Sequence, residues 1–550
     1  MKRDYTIIAP DIFPIHMKFL EGIFRSHGYK LEVLHYEGKE VIDAGLKYLH
    51  NDMCYPAICS LGQLIYALTS GDYDVHKTAL VFFQTGGGCR ASNYICLLRK
   101  ALEEMGLGFV PVISVSFAGY EKYSGFKITP SMLLPGLSSF IYGDMLMLLK
   151  NQVEPYEVNA GETQKLCDKW TEEILLQFSQ KKGYHKKSLK KNLAKIAEDF
   201  HNIPRENKKL VKVGIVGEIY VKYSPFANRG LEKFLLSQGC EYMLPGVLGF
   251  FQYCAANIQT DRKYYGGSAV KAFIGRLIEK KAAEYERFMI EAVKPYSDFV
   301  APVSFEKIEE LADRVIDRGV KMGEGWLLPG EVAELIEKGY DNVLCAQPFG
   351  CLPNHIVAKG TIRTLRELYP EANIFPIDYD SGASAVNQEN RIKLMLAIAR
   401  EKIDGDYKTA NAQHEKECDA AFTFVGGENG CACGVNEKAT NAAENNDTAV
   451  KHIAEEENGC TCCKKDKATN AVENYNTSVT NIAEEENGCT CYVNEKATNA
   501  AENNDTAVKH IAEEENGCTC CVNEKAAGAE ENNDTAVKHI AEEEKNEIRN

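Results

Sequence analysis

The chain predicts an α/β protein with two doubly wound parallel-sheet domains of Rossmann or flavodoxin-like type, a helical connector and a largely disordered repeat tail. Three observations carry this reading. Short apolar, strand-length runs alternate with helical periodicity twice, over 5–150 and again over 210–402. Between them, 155–207 is charged and helical in spacing, with lysine clusters at 181–191 that read as a solvated face. Beyond 405 the composition turns to Asn, Glu, Ala, Thr and Lys. The resulting boundaries are 1–150, 151–209, 210–404 and 405–550.

In the first unit, Tyr5–Pro10 predicts a strand, Pro14–His27 a helix and Lys30–Tyr36 a second strand. A helix over Pro56–Thr69, a strand over Thr78–Phe83, a helix over Ala91–Met105 and a strand over Phe109–Ser116 follow. Ser131–Lys150 closes the unit with a long apolar helix whose Met and Leu residues suit a core. The second unit opens at Leu210–Tyr220 and continues with a helix at Asn228–Gln238 and a strand near Met243. Helices at 265–292 and 305–318 come next, then a helix at Pro329–Lys338, a strand at Asn342–Gln347 and a helix at Pro353–Leu368. A strand at Asn373–Tyr379 and a helix at Ser384–Glu401 end the body. The glycines of GIVGEIY do not have dinucleotide-fingerprint spacing, and no phosphate-loop motif occurs in the chain.

The net charge of −16 is unevenly placed: 405–550 holds 30 Asp/Glu against 13 Lys/Arg, or −17, which leaves the rest at +1. The body has no basic stripe, so nucleic-acid binding is not expected. Met1, Lys2 and Arg3 are followed by Asp4 and a strand-length apolar run broken by Pro10 and Asp11, which does not read as a secretory signal. No uncharged apolar run reaches the roughly 18 residues of a membrane span. The expectation is a cytoplasmic protein, not membrane-bound, whose 20 cysteines stay reduced, some of them serving as metal or cluster ligands rather than in disulfides.

Ten of those cysteines lie in the tail repeats. AEEE recurs at 454, 483, 512 and 541 and ENGC at 428, 457, 486 and 515, a period of 29 residues. The units lack the apolar stripe that stacks a solenoid, and their charge favours disorder. Their C-x-C and C-x-C-C groups suit soft metal ions, against a duplicated low-complexity tail without a specific role.

Three body cysteines share one setting. In VFFQTGGGCRASNYICLLR, Gly86, Gly87 and Gly88 form a turn after a buried strand, and Cys89 and Arg90 follow at a helix start. Cys54 precedes Pro56 in MCYPAICS, and Cys351 precedes Pro353 in PFGCLPNH, both again before helices. Helix N-termini there would stabilise thiolates or a bound anion. In a doubly wound sheet such turns gather at one edge, where three thiolates could hold an iron–sulfur cluster with the amides of Gly86–Gly88 offsetting its charge. The wide ligand spacing disfavours structural zinc. Cys345, six residues before Cys351, is a weaker fourth candidate; Cys59, Cys96, Cys167, Cys240 and Cys254 read as ordinary core or unassigned thiols. Arg90 could balance charge, and Asn354 and His355 could supply hydrogen bonds or protons. Asp378, Asp380, Ser381 and Gly382 form a turn at the same edge, and Glu324 is a loop carboxylate without an assignment.

CYPA, TGGGCRASNY, and QPFGCLPNHIVAKG followed by IDYDSGASAVNQENRIKLML resemble the 2-hydroxyacyl-CoA dehydratase superfamily of iron–sulfur proteins over about residues 1–402. Within it, the dehydratase-like portion of large CoA-substrate-specific activase proteins looks most similar, with double-cubane cluster proteins more distant. The resemblance implies a [4Fe-4S] or double-cubane cluster on Cys54, Cys89 and Cys351. It also implies electron injection by an actin-like-fold, ATP-dependent activase acting in trans, and pairing with a dehydratase-like subunit as a homo- or heterodimer. The implied function is an iron–sulfur lyase or reductase acting on a small substrate, CoA-linked or free. The rival expectations are a non-enzymatic metal-binding or metal-delivery protein and a scaffold that uses its cluster only for stability.

Overall fold

Two parallel sheets of four strands form the frame of the computed structural model, which describes residues 4–84, 88–116 and 126–402. All of these belong to one compact unit, Met1–Gly427. The repeat tail, with its cysteines, and Gly86 and Gly87 lie outside the described residues.

The first sheet contains β1 (Thr6–Pro10), β2 (Lys30–Leu34), β3 (Thr78–Gln84) and β4 (Val112–Ser116) in the order β2-β1-β3-β4. The second contains β5 (Val211–Gly217), β6 (Cys240–Met243), β7 (Asn342–Pro348) and β8 (Asn373–Tyr379) in the order β6-β5-β7-β8. All pairings are parallel, as βαβ crossovers demand. The two orders are equivalent, and each reverses direction once: between β1 and β3, and between β5 and β7. Every residue of β7 is buried, in keeping with the apolar run Val343–Ala346 between Asn342 and Gln347.

Helices α1 (Pro14–Ser26), α2 (Lys39–Tyr48), α3 (Tyr55–Thr69) and α4 (Tyr94–Glu104) accompany the first sheet. The connector supplies α5 (Pro130–Val153), α6 (Glu162–Ser179) and α7 (Lys186–His201). The second sheet carries α8 (Ile219–Tyr223), α9 (Leu231–Ser237), α10 (Val247–Tyr265), α11 (Ala269–Val293), α12 (Phe305–Asp313), α13 (Leu327–Glu337) and α14 (Ile362–Leu368). Residues 385–402 form a further helix.

The 19-residue α10 lies where the sequence expectation has no element, and further local outcomes differ as well. The helix α2 went unread because Gly45 interrupts its apolar spacing; that glycine lets α2 approach α3, since a Cβ there would lie 2.3 Å from the Ile58 carbonyl oxygen. After Cys89 the chain makes a 3-10 turn over Arg90–Asn93 before α4 begins. The single helix expected over Pro353–Leu368 is a π-helical turn, Asn354–Lys359, followed by α14. Wider π geometry is characteristic of functional sites.

The long apolar helix α5 is a core element. From Pro130 to Tyr156 it is long and apolar enough to cross a membrane by composition, yet 72% of its most apolar window is buried inside the protein. It packs in one cluster with Phe19 and Ile23 of α1, Trp170 of α6, Phe200 of α7 and residues of the second sheet, Val343 and Ile374. A second cluster joins the two sheets directly, with Ile7, Val81 and Ile113 beside Val213, Ile215 and Leu344, so the two share their hydrophobic core. The buried Asp144 of α5 accepts hydrogen bonds from the backbone N–H groups of Val247 (2.7 Å) and Leu248 (3.0 Å), at the start of α10. It also lies 2.9 Å from His16 Nε2.

Candidate functional site

The turns that follow β3, β5 and β7 meet at the carboxyl ends of the sheets, beside both points of reversal. Open α/β sheets bind ligands at this position. Gly350, at φ +71°, packs so closely that a Cβ would lie 3.0 Å from both the Cys54 Cα and an Arg90 nitrogen. The Tyr55 N–H donates to the Phe349 carbonyl across the same junction (3.0 Å). Gly323 meets Pro353, and Gly88 meets Met322. Five stretches thus converge: 52–55, 88–90, 217–219, 322–324 and 349–354.

Cys54 is the buried N-cap of α3 and sits with its sulfur 2.8 Å from the Tyr94 hydroxyl. Cys351, also buried, receives a hydrogen bond from Asn354 Nδ2 at 3.3 Å. Arg90 Nη1 donates to the Asp52 carbonyl. It borders a depression of about 330 Å³ lined by His50, Asp52, Met53 and Asn93. Cys89, half-buried, caps the 3-10 turn beside them.

The sequence expected helix starts to favour thiolates at these positions. Burial decides otherwise. Desolvation pushes the Cys54 thiol up to about 11, outweighing the lowering effect of Tyr94 and of the Ala57 backbone amide. Cys351 is driven up further by burial and then by the nearby carboxyls of Glu324 and Glu218. Both thiols are protonated at neutral pH.

The iron–sulfur expectation is overturned at the same point. Among the described residues, no group of three or more His, Cys, Asp or Glu side chains is arranged to hold a metal ion. The two buried thiols are instead engaged by Tyr94 and Asn354, and carboxyls rather than cations lie near Cys351. A [4Fe-4S] or double-cubane cluster on Cys54, Cys89 and Cys351 does not fit this arrangement. The iron–sulfur lyase or reductase activity and the cluster-scaffold alternative fall with it; the metal-delivery expectation centred on the C-x-C tail falls on residues outside those described. Cys345 is no fourth ligand: it lies in the shared core, where burial raises its thiol to about 12.

The remaining expected residues are dispersed around the site. Asn354 is fully buried at the start of the π turn. His355 is half-buried, and burial followed by the Lys359 charge lowers its pKa. Asp378 is held by Lys359 (2.9 Å) and Arg391 (3.4 Å), and the Asp380 carbonyl accepts from Arg229. Gly88 acts as a contact point for Met322.

What the sequence reading missed is a buried carboxyl pair. Glu218 follows β5 directly and caps α8, accepting from the Val221 N–H at 2.9 Å. Glu324 accepts from the Ile219 N–H at 3.0 Å, so the pair shares one short turn. Desolvation, then the Glu324 charge, raises Glu218 from 4.5 to about 8. Desolvation raises Glu324 as well. Two adjacent, largely desolvated carboxyls cannot both ionise easily, so they retain a proton near neutrality. Below them Lys222 forms a buried ion pair with Glu331, at 2.8 and 3.0 Å to its two oxygens. Next to Glu218 on the neighbouring strand end lies Gln347, fully buried, with neither amide atom hydrogen-bonded among the described residues; Asn354 Oδ1 is likewise unpartnered. Position could have revealed Glu218: it occupies the strand-to-helix turn of β5 just as Cys89 follows β3 and Cys351 follows β7. Comparison with protein-family models and with curated proteins finds no match for the chain.

Proposed function

We propose that this protein binds a small polar molecule at the carboxyl ends of its two sheets and moves a proton on it without a metal. The observation that carries this reading is the Glu218–Glu324 pair, which holds a proton near neutral pH beside a strand-order reversal. Glu218, half-buried, is the group that a ligand can reach, and desolvation, with the buried Glu324 carboxyl beside it, holds its pKa high. Arg90 offers a cation at the rim for an anionic ligand group. The protonated thiols of Cys54 and Cys351 act as weak hydrogen-bond donors rather than nucleophiles. On this reading the likeness of CYPA, TGGGCRASNY and QPFGCLPNH to the dehydratase superfamily is one of scaffold, without cluster chemistry.

Thermal-shift measurements against a panel of small carboxylic acids and amides test the binding, and solvent deuterium exchange into a bound ligand, read by NMR, tests the proton transfer. The expected result is a ligand that stabilises the wild type, exchanges a carbon-bound proton, and does neither in Glu218→Gln. Exchange that persists unchanged in Glu218→Gln would refute the assignment.

A further inference from the structure

The first half of α11 turns an apolar face to solvent. Val270, Phe273, Ile274, Leu277 and Ile278 are between 49% and 68% exposed, and their spacing of i, i+3, i+4, i+7 and i+8 places them on one stripe. The opposite face holds the helix to the protein: Ala272, Gly275 and Ala282 are buried, and Gly275 lies close to the Ala255 carbonyl of α10. Tyr264 and Tyr265, exposed at the end of α10, extend the stripe across the turn. Scattered exposed apolar side chains are ordinary, but a contiguous set of seven marks a contact surface.

The exposed charges within this segment are of one sign, while at its base Asp317 accepts from the Tyr264 hydroxyl (3.1 Å) and Asp261 pairs with Lys321. Between 262 and 280 every exposed charged residue is basic: Arg262, Lys263, Lys271, Arg276 and Lys280. None of the five forms an ion pair among the described residues; Arg276 and Lys263 instead donate to Gln259 and Tyr264. Around the helix axis Lys271 borders the stripe on one side, and Arg276 and Lys280 border it on the other. A second copy docked face to face would bring these borders against each other, so the charge pattern disfavours self-association. A convex helical ridge with Tyr, Phe, Ile and Leu at its crest and Lys or Arg along its flanks has the composition of a helix that lies in a membrane interface. Tyrosine rings favour the headgroup level.

We propose that the exposed face of α11, with Tyr264 and Tyr265, docks on an anionic lipid surface. The apolar crest enters the headgroup region and the five basic side chains meet lipid phosphates. The net charge of −16 opposes general adhesion to such a surface, so binding depends on this patch alone.

Co-sedimentation of the full chain with phosphatidylcholine vesicles, with or without about one third phosphatidylglycerol, tests the proposal. Binding is expected to the anionic vesicles only and to weaken as salt rises. The variant Phe273→Asp/Leu277→Asp is expected to bind at least tenfold more weakly. Lys271→Glu/Lys280→Glu should lose about fivefold for each charge removed, and more on reversal. Both variants replace exposed residues, and circular dichroism and melting temperature check that they fold. Absence of binding to anionic vesicles, or binding unchanged in the two variants, overturns the proposal. So does a concentration-dependent dimer in sedimentation velocity that Phe273→Asp/Leu277→Asp dissolves, because the stripe is then covered by a second copy.

Discussion

Replacing Glu218 by glutamine substitutes a permanently neutral group of nearly the same shape for a carboxyl whose pKa rises on folding from 4.5 to about 8. A raised carboxyl pKa means that the folded state binds the proton more tightly than the unfolded one. Its stabilising effect is therefore complete below pH 4.5 and is lost as the pH climbs through 8. The gap of about 3.5 units corresponds to an upper bound of about 5 kcal/mol, at 1.36 kcal/mol per unit. Water reaches part of the Glu218 side chain, so roughly 2–5 kcal/mol is the expected range. For some 400 ordered residues this amounts to about 2–6 °C in melting temperature. The assay is urea denaturation of wild type and Glu218→Gln at intervals from pH 5 to 9. The amide oxygen of the introduced glutamine can still accept from the Val221 N–H, so the variant should match the wild type near pH 5 and exceed it above pH 8. Carboxyls away from the pair, such as Glu286 (raised to about 7), slope both curves alike, so the difference between curves isolates the Glu218–Glu324 pair. Parallel pH profiles would show that the proton is not on Glu218 and would remove the basis of the proposed chemistry.

Three further perturbations address the surroundings of the site. Lys222→Met strands the Glu331 carboxylate in the interior and should cost about 3–5 kcal/mol in denaturant unfolding; Lys222→Met/Glu331→Met should recover most of it, and equal losses in both variants would contradict the pairing. Gly350→Ala forces an alanine to φ +71° against the Cys54 backbone and should cost about 1–3 kcal/mol, whereas Gly71→Ala, with φ +88° and open space around it, should lose only the smaller backbone share. At pH 8 a thiol with a pKa of about 11 is roughly one-thousandth ionised, so iodoacetamide should label Cys54 far more slowly than exposed Cys96; comparable rates in mass-spectrometric mapping would refute the elevated pKa.

The alternation of apolar runs with helical spacing was enough to read both sheets, because β1, β3, β5 and β7 are buried on two faces and their text is nearly continuous. The turns after β3 and β7 were legible for the same reason: glycine and proline mark them. Properties set by neighbours distant in the chain were not legible. The pair Glu218–Glu324 joins residues more than a hundred positions apart, and neither has a motif of its own. The thiol prediction failed because a helix start acts locally, whereas the burial of Cys54 and Cys351 depends on how the 349–354 loop closes over α3. The convergence of three cysteine-bearing turns was anticipated, but a shared edge does not by itself give a coordination geometry. The helix α2 was hidden by Gly45, a residue chosen for contact with α3 at the expense of helix propensity.

The shared core has a consequence in time. Helix α5 leaves the ribosome early, but part of what covers it, from Val216 through Ile374, is made later. At about 5–20 residues per second, the roughly 200 residues between them take on the order of 10–40 s to synthesise. Throughout that interval the chain carries an uncovered helix apolar enough to pass for a membrane span. Shielding of this segment during synthesis therefore matters, and a hazard of biogenesis sits in a core helix of the finished protein.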